Sequence, residues 1–222
     1  MAEHLKKELE ELKLQTLTMT SEVKQALTKA CNAFKNLDAD VAQEIIEQDD
    51  RINELELKID EKALRLLALE GPVARDLRFI LGCMRIAIDL ERIGDECANI
   101  AHATIILSCK PPLPFYKDIN ILGEKAKNML DLAVNAFFQP NSDLAIEVCK
   151  LDFEVDELHS SITEGLITYM TEYTPAIKRS IQAINITKRF ERVADLATNI
   201  SESAVFVDKG VNIRHYCQFD NR

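Results

Sequence analysis

The sequence predicts an all-α protein made of two tandem three-helix bundles related by internal duplication. Three observations carry that prediction. Tryptophan is absent, glycine and proline number six each, and 29% of the 222 residues are charged, a composition that favours long helices over a turn-rich sheet. Apolar residues recur in steps of three and four along most of the chain. The chain also repeats itself: residues 19–72 align on 122–175 at a constant offset of 103 without a gap, ACNAF at 30–34 matching AVNAF at 133–137. Asp40, Glu44, Asp49, Glu54, Leu55, Ile59 and Pro72 return as Asp143, Glu147, Asp152, Glu157, Leu158, Ile162 and Pro175. At an offset of 100, Glu91, Arg92, Asp95, Asn99 and Ile100 return as Glu191, Arg192, Asp195, Asn199 and Ile200. A repeat of this length is one supersecondary unit used twice.

The elements follow in order. From Leu5 to Leu37 the apolar positions Leu5, Leu9, Leu12, Met19, Val23, Ala26, Ala30 and Ala33 keep close to a 3.5-residue period, which predicts one long bundle helix. Asp38 is placed to cap the next helix, over 39–68, which buries Ile45, Ile52, Leu55, Ile59 and Leu66 and stops before Gly71-Pro72. The third helix carries the clearest pattern: Phe79, Cys83, Ile86, Leu90, Ile93, Cys97 and Ile100 form one apolar seam. It ends near KPPLPFY, whose Pro111, Pro112 and Pro114 cannot continue a helix. The boundary between halves is set there, giving bundles over 1–110 and 111–222. Helix four, over 117–138, stops before Pro140. Helix five, over 142–171, buries Leu144, Val148, Leu151, Val155, Leu158 and Ile162. Helix six starts at Thr174-Pro175, puts Ile186, Phe190, Val193, Ala197 and Ile200 on its seam, and ends near Gly210.

Charge and targeting signals narrow the function. A net charge of −10 with no basic run argues against nucleic acid and for cations or basic proteins as partners. The six cysteines show no CxxC pairing and at least two sit on helix seams, the pattern of reduced thiols used as small hydrophobes. The N-terminus MAEHLKKELEELK lacks an apolar core, and no apolar run approaches the roughly 20 residues that cross a bilayer. A cytoplasmic location is expected, with no membrane span.

The candidate chemistry lies behind the seams. Glu91, Asp95 and Asn99 are spaced i, i+4, i+8, as are Glu191, Asp195 and Asn199, so each set lines one helix face with oxygens. Helices two and five add Asp49 with Asn53 and Asp152 with Asp156 at i, i+4. Brought together, these groups form clusters of hard donors that repel one another unless cations neutralise them, and all-oxygen ligation suits magnesium, manganese, calcium or ferric iron. The other reading is a solvated polar face, with Arg92–Asp95 and Arg192–Asp195 as ordinary i, i+3 ion pairs. Recurrence in both halves favours the site, although duplication copies plain surface as well. Asp156 and His159 form a DxxH, but Glu56 stands at the equivalent first-half position, which reads as an incidental surface histidine. His102 stands alone, and the histidines at 4, 102, 159 and 215 supply no Glu-x-x-His pair for a di-iron bundle. Glycine-rich phosphate loops, GxSxG and HExxH are absent, so no enzymatic machinery is visible.

The segments RDLRFILGCMRIAIDLERIGDECANIA (75–101), RFERVADLATNISESAVF (189–206) and VDKGVNIRH (207–215) resemble the PhoU family of bacterial phosphate-signalling proteins across essentially the whole chain. That resemblance implies a fold of two similar three-helix bundles, frequent homodimers, and a non-enzymatic cytoplasmic regulator. Such a regulator links the ATPase subunit of a phosphate ABC transporter to a sensor histidine kinase and represses uptake genes when phosphate is plentiful. It also implies multinuclear metal clusters on Glu91 with Asp95 and Glu191 with Asp195, joined by Asp49 with Asn53 and Asp152 with Asp156, Asn99 and Asn199 flanking. Iron comes first among the candidate metals, then manganese, zinc, magnesium or calcium. Asn53 departs from the aspartate usual there, which lowers the charge of its cluster and implies a weaker or smaller one. Two alternatives accompany this reading: an accessory subunit of another phosphate permease, and a metal-dependent phosphohydrolase.

Overall fold

The structure, a computed structural model, describes residues 2–139 and 141–213. Pro140, His215 and Cys217, each used in the sequence reading, lie outside the described residues. Six helices fill the described chain: α1 (Ala2–Asn36), α2 (Ala39–Glu70), α3 (Ala74–Ser108), α4 (Tyr116–Phe138), α5 (Ser142–Glu172) and α6 (Ile177–Lys209). The predicted spans hold to within a few residues, except that α3 begins five residues before the seam does. Thr174–Ala176 also forms a short 3-10 turn that feeds α6; Pro175 fits there because the first turn of a helix needs no N–H from it.

Local chemistry sets the helix ends. The Asp38 carboxylate accepts from the backbone N–H groups of Asp40 and Val41, both at 3.1 Å, capping α2. Its repeat equivalent, Asn141, caps α5 in the same way, accepting from Asp143 and Leu144. Gly71 closes α2 with φ 56°, a left-handed conformation that costs glycine little.

Within each half the helices pack as a three-membered bundle, α1 with α2 and α3, and α4 with α5 and α6. The halves then join through α3 and α6, which meet as extensively as α3 meets α2, with α1 on α4 beside them. α3 and α6 run antiparallel, since Glu96 bonds Arg189 at 3.0 Å while Arg78, earlier in α3, donates to the Val207 carbonyl at 3.3 Å. Gly82 permits the close approach: a Cβ there would stand 2.5 Å from Val207 Cγ2. One continuous core results, running from Leu12 and Phe34 through Ile93 to Phe190 and Ile200. The α3 and α6 seams are buried in it, Phe79 alone among the predicted seam residues being only partly covered.

Cys31, Cys83 and Cys97 are buried free thiols and Cys109 an exposed one. Cys149 is disulfide-bonded, which corrects the expectation that the cysteines are all reduced; spacing reports only pairings close in sequence. Among the described residues no helix is long and apolar enough to cross a membrane.

Candidate metal centres

α2 lies along α3 and α5 along α6, so each carboxylate ladder faces the acidic pair of its own half. In the first half this brings Asp49 and Asn53 of α2 beside Glu91 and Asp95 of α3. Gly94 makes that approach close: a Cβ on it would lie 3.0 Å from Ile52 Cδ1 and 3.6 Å from Asp49 Oδ1. A small cavity of about 20 Å³ remains between Asp49, Gly94, Gln48 and Glu22, room for one water-sized particle. In the second half Asp152 and Asp156 of α5 face Glu191 and Asp195 of α6.

Burial, and after it the crowding of like charge, shows in the carboxyl pKa values. Burial, then the charges of Asp95 and Asp50, push Asp49 up. Glu91 is raised by burial and by Asp95, Glu56 and Asp49, against the pull of Arg92. The second half is shifted further: burial, Asp156 and Asp195 push Asp152 up to about 6, with the Thr198 hydroxyl opposing. Burial, Asp195, Asp156 and Asp152 push Glu191 up to about 7, Arg192 opposing. Asp156 is raised by burial and Asp195. Each shift marks a carboxylate that lacks enough positive charge nearby. Of the two predicted i, i+3 ion pairs, Arg192–Asp195 forms at 3.2 Å, while among the described residues Arg92 makes none with Asp95.

Two residues belong to these clusters that the sequence reading set aside. Glu56 acts on Glu91, and its repeat equivalent His159 acts on Asp156 and is acted on by Asp156 and Asp195. His159 thus lies within electrostatic reach of Asp156 and Asp195. Burial, with Lys188, lowers its pKa, which favours the neutral imidazole that binds metals. The signal was present in the sequence as equivalent positions three residues beyond Asn53 and Asp156. Asn99 and Asn199 are exposed one turn past Asp95 and Asp195 and make no side-chain hydrogen bond to the clusters among the described residues.

The donor set fits a hard cation. Asn53 Oδ1 on α2 and Asp152 Oδ1 on α5 are buried with no hydrogen-bond partner, and a buried acceptor left so is costly unless something else meets it. Among the described residues, no three His, Cys, Asp or Glu side chains close on a single point as they stand. A cation in each half would be held by Glu91 with Asp95, or Glu191 with Asp195, together with the α2 or α5 donors.

The duplicated three-helix unit matches a known family. The model of the PhoU domain matches residues 16–104 and again 119–204. The chain belongs to the PhoU family. Among PhoU relatives, the Aquifex aeolicus protein named phosphate-specific transport system accessory protein PhoU homolog is 39% identical over 209 residues, covering 94% of this chain and 95% of that one. The Escherichia coli protein, named phosphate-specific transport system accessory protein PhoU, is 32% identical over 208 residues, covering 94% and 86%. The crystal structure of PhoU from Pseudomonas aeruginosa matches with a TM-score of 0.90 at 35% identity, over 93% of this chain and 99% of that one. The phosphate transport system regulatory protein PhoU from Streptococcus pneumoniae matches at 0.87 and 30%, over 94% and 98%. The predicted all-α fold is the PhoU fold.

Proposed function

We propose that this chain is a regulatory accessory protein of a phosphate-specific transport system, acting by binding and not by turnover. The observation that carries the reading is its likeness, over 94% of its length, to proteins named for that role. It acts from the cytoplasmic side, as a homodimer, bridging the ATPase subunit of a phosphate ABC transporter and a sensor histidine kinase.

The acidic clusters supply the second half of the proposal. Asp49, Asn53, Glu56, Glu91 and Asp95 hold one set of cations, and Asp152, Asp156, His159, Glu191 and Asp195 the other, with iron the first candidate. A bound cation supplies positive charge that offsets the carboxylate repulsion and ties α2 to α3 and α5 to α6. Support comes from the raised carboxyl pKa values and the two orphaned oxygens, not from any single residue.

The test is co-precipitation of the purified chain with the ATPase subunit and with the kinase, with and without added metal. The proposal expects both partners to bind the wild type and the Glu91→Ala/Asp95→Ala variant to bind them more weakly. Wild-type protein that binds neither partner overturns the adaptor role. A metal-stimulated release of phosphate from a model phosphate ester, lost in Asp95→Ala, would replace it with the phosphohydrolase.

A further inference from the structure

Away from the acidic clusters, the C-terminal end of α3 and the start of α6 enclose an open groove of about 560 Å³. Ile106, Pro111, Tyr173, Pro175 and Ile181 give it apolar walls, and Lys110, Lys178 and Arg179 give it charge. None of its ten lining residues is acidic, a local inversion of sign in a chain of net charge −10. Its apolar walls face solvent, Ile106, Tyr173 and Ile181 being 51, 47 and 45% exposed. Ile177, 40% exposed and one turn before Ile181 on α6, extends the same row.

The cations are of two kinds. Arg179 is fixed in place: its terminal nitrogens donate to the Pro111 carbonyl at 3.1 Å and the Tyr169 hydroxyl at 3.4 Å, and its guanidinium lies 5.8 Å from the Tyr173 ring centroid. Its Nε is buried and has no acceptor. Lys110 and Lys178 are exposed, and among the described residues neither is held in an ion pair. Preset arginine and tyrosine anchors beside apolar walls and a charged rim are the composition of a protein-binding hot spot. A small inorganic anion would use the cations and leave the isoleucines in water; a basic segment would meet three like charges.

We propose that this groove docks an acidic amphipathic helical segment of a partner protein. The segment's apolar side chains lie against Ile106 and Ile181, and its carboxylates meet the exposed Lys110 and Lys178. The groove's chemistry is the same whether or not the acidic clusters hold cations.

The probe is a fluorescent synthetic peptide of about sixteen residues with leucine at i, i+3, i+4 and i+7 and glutamate elsewhere. Its binding to the full chain is followed by anisotropy, beside a peptide carrying lysine in place of each glutamate. Saturable binding of the acidic peptide is expected, weakened about tenfold or more by Lys110→Glu/Lys178→Glu and, separately, by Ile181→Asp. The circular dichroism spectra of both variants should match the wild type. Equal binding of the lysine peptide, or unchanged affinity in either variant, overturns the proposal. So does displacement of the peptide by inorganic phosphate or ATP in a Lys178-dependent way, which reassigns the groove to a small anion.

Discussion

Asn53 and Glu56 in the first half stand where Asp156 and His159 stand in the second. Each cluster therefore keeps four carboxylates, Asp49, Glu56, Glu91 and Asp95 against Asp152, Asp156, Glu191 and Asp195, with one charge moved by a turn. The weaker first cluster expected from Asn53 alone does not follow once Glu56 is counted. Because cation affinity follows ligand charge, Glu56→Gln should weaken binding in the first half several-fold and Asn53→Asp should strengthen it; calorimetric titration with manganese measures both. The raised carboxyls also set a pH dependence. Asp152 at about 6 and Glu191 at about 7 bind protons in the folded state that the unfolded chain has already released. Between the usual carboxyl range and pH 7 their contribution to stability therefore falls as pH rises, and it is favourable only at the acid end. Thermal melts of metal-free protein from pH 5 to 7.5 should show that decline, and Asp152→Asn/Glu191→Gln should flatten it. A decline of the same slope in the double variant would assign it elsewhere.

At the level of helices, α2 against α3 and α5 against α6 are the pairs that carry the acidic clusters. Gly94 sets the first spacing, and the buried Ala194 stands at its repeat position in α6, so alanine is already present at one of the two positions. A branched side chain does not fit: in Gly94→Val the added methyls meet Ile52, at a cost of about 1–3 kcal/mol, and part Asp49 from Asp95. Chemical denaturation gives the stability loss, and metal content should fall in the first half alone. Most of this level was legible in the sequence. The seam from Cys83 to Ile100 and the Asp38 cap were visible because periodicity and capping are local. The partners of the ladders were not, since i, i+4 spacing says which face a carboxylate occupies and nothing about which helix lies across from it. The setting of His159 was hidden for the same reason, since only the packing of α6 across from it brings Asp195 within reach. The groove between α3 and α6 left no local mark either, its walls being some seventy residues apart.

Across the whole molecule, duplication predicted two bundles and the packing makes one body of them. Phe190 of α6 is fully buried, meets Phe34 of α1 edge-on at 6.5 Å, and lies where a Cβ on Gly123 of α4 would be 2.9 Å away. A core shared in this way should unfold in a single calorimetric transition, and Phe190→Ala should lower that whole transition by about 3–5 kcal/mol. Two separate transitions, only one of them moved by the substitution, would mean that the halves over 1–110 and 111–222 are independent domains.

The two acidic clusters are proposed as cation sites, one in each half. The direct measurement is the metal-to-chain ratio by mass spectrometry, on untagged protein purified without chelator. Wild type is compared with Glu91→Ala/Asp95→Ala and Glu191→Ala/Asp195→Ala. Metal is expected on the wild type, with loss of a separate share in each double variant. Preparations that are all metal-free, and stay so after metal is added, would contradict the proposal and leave the carboxylates as a solvated face.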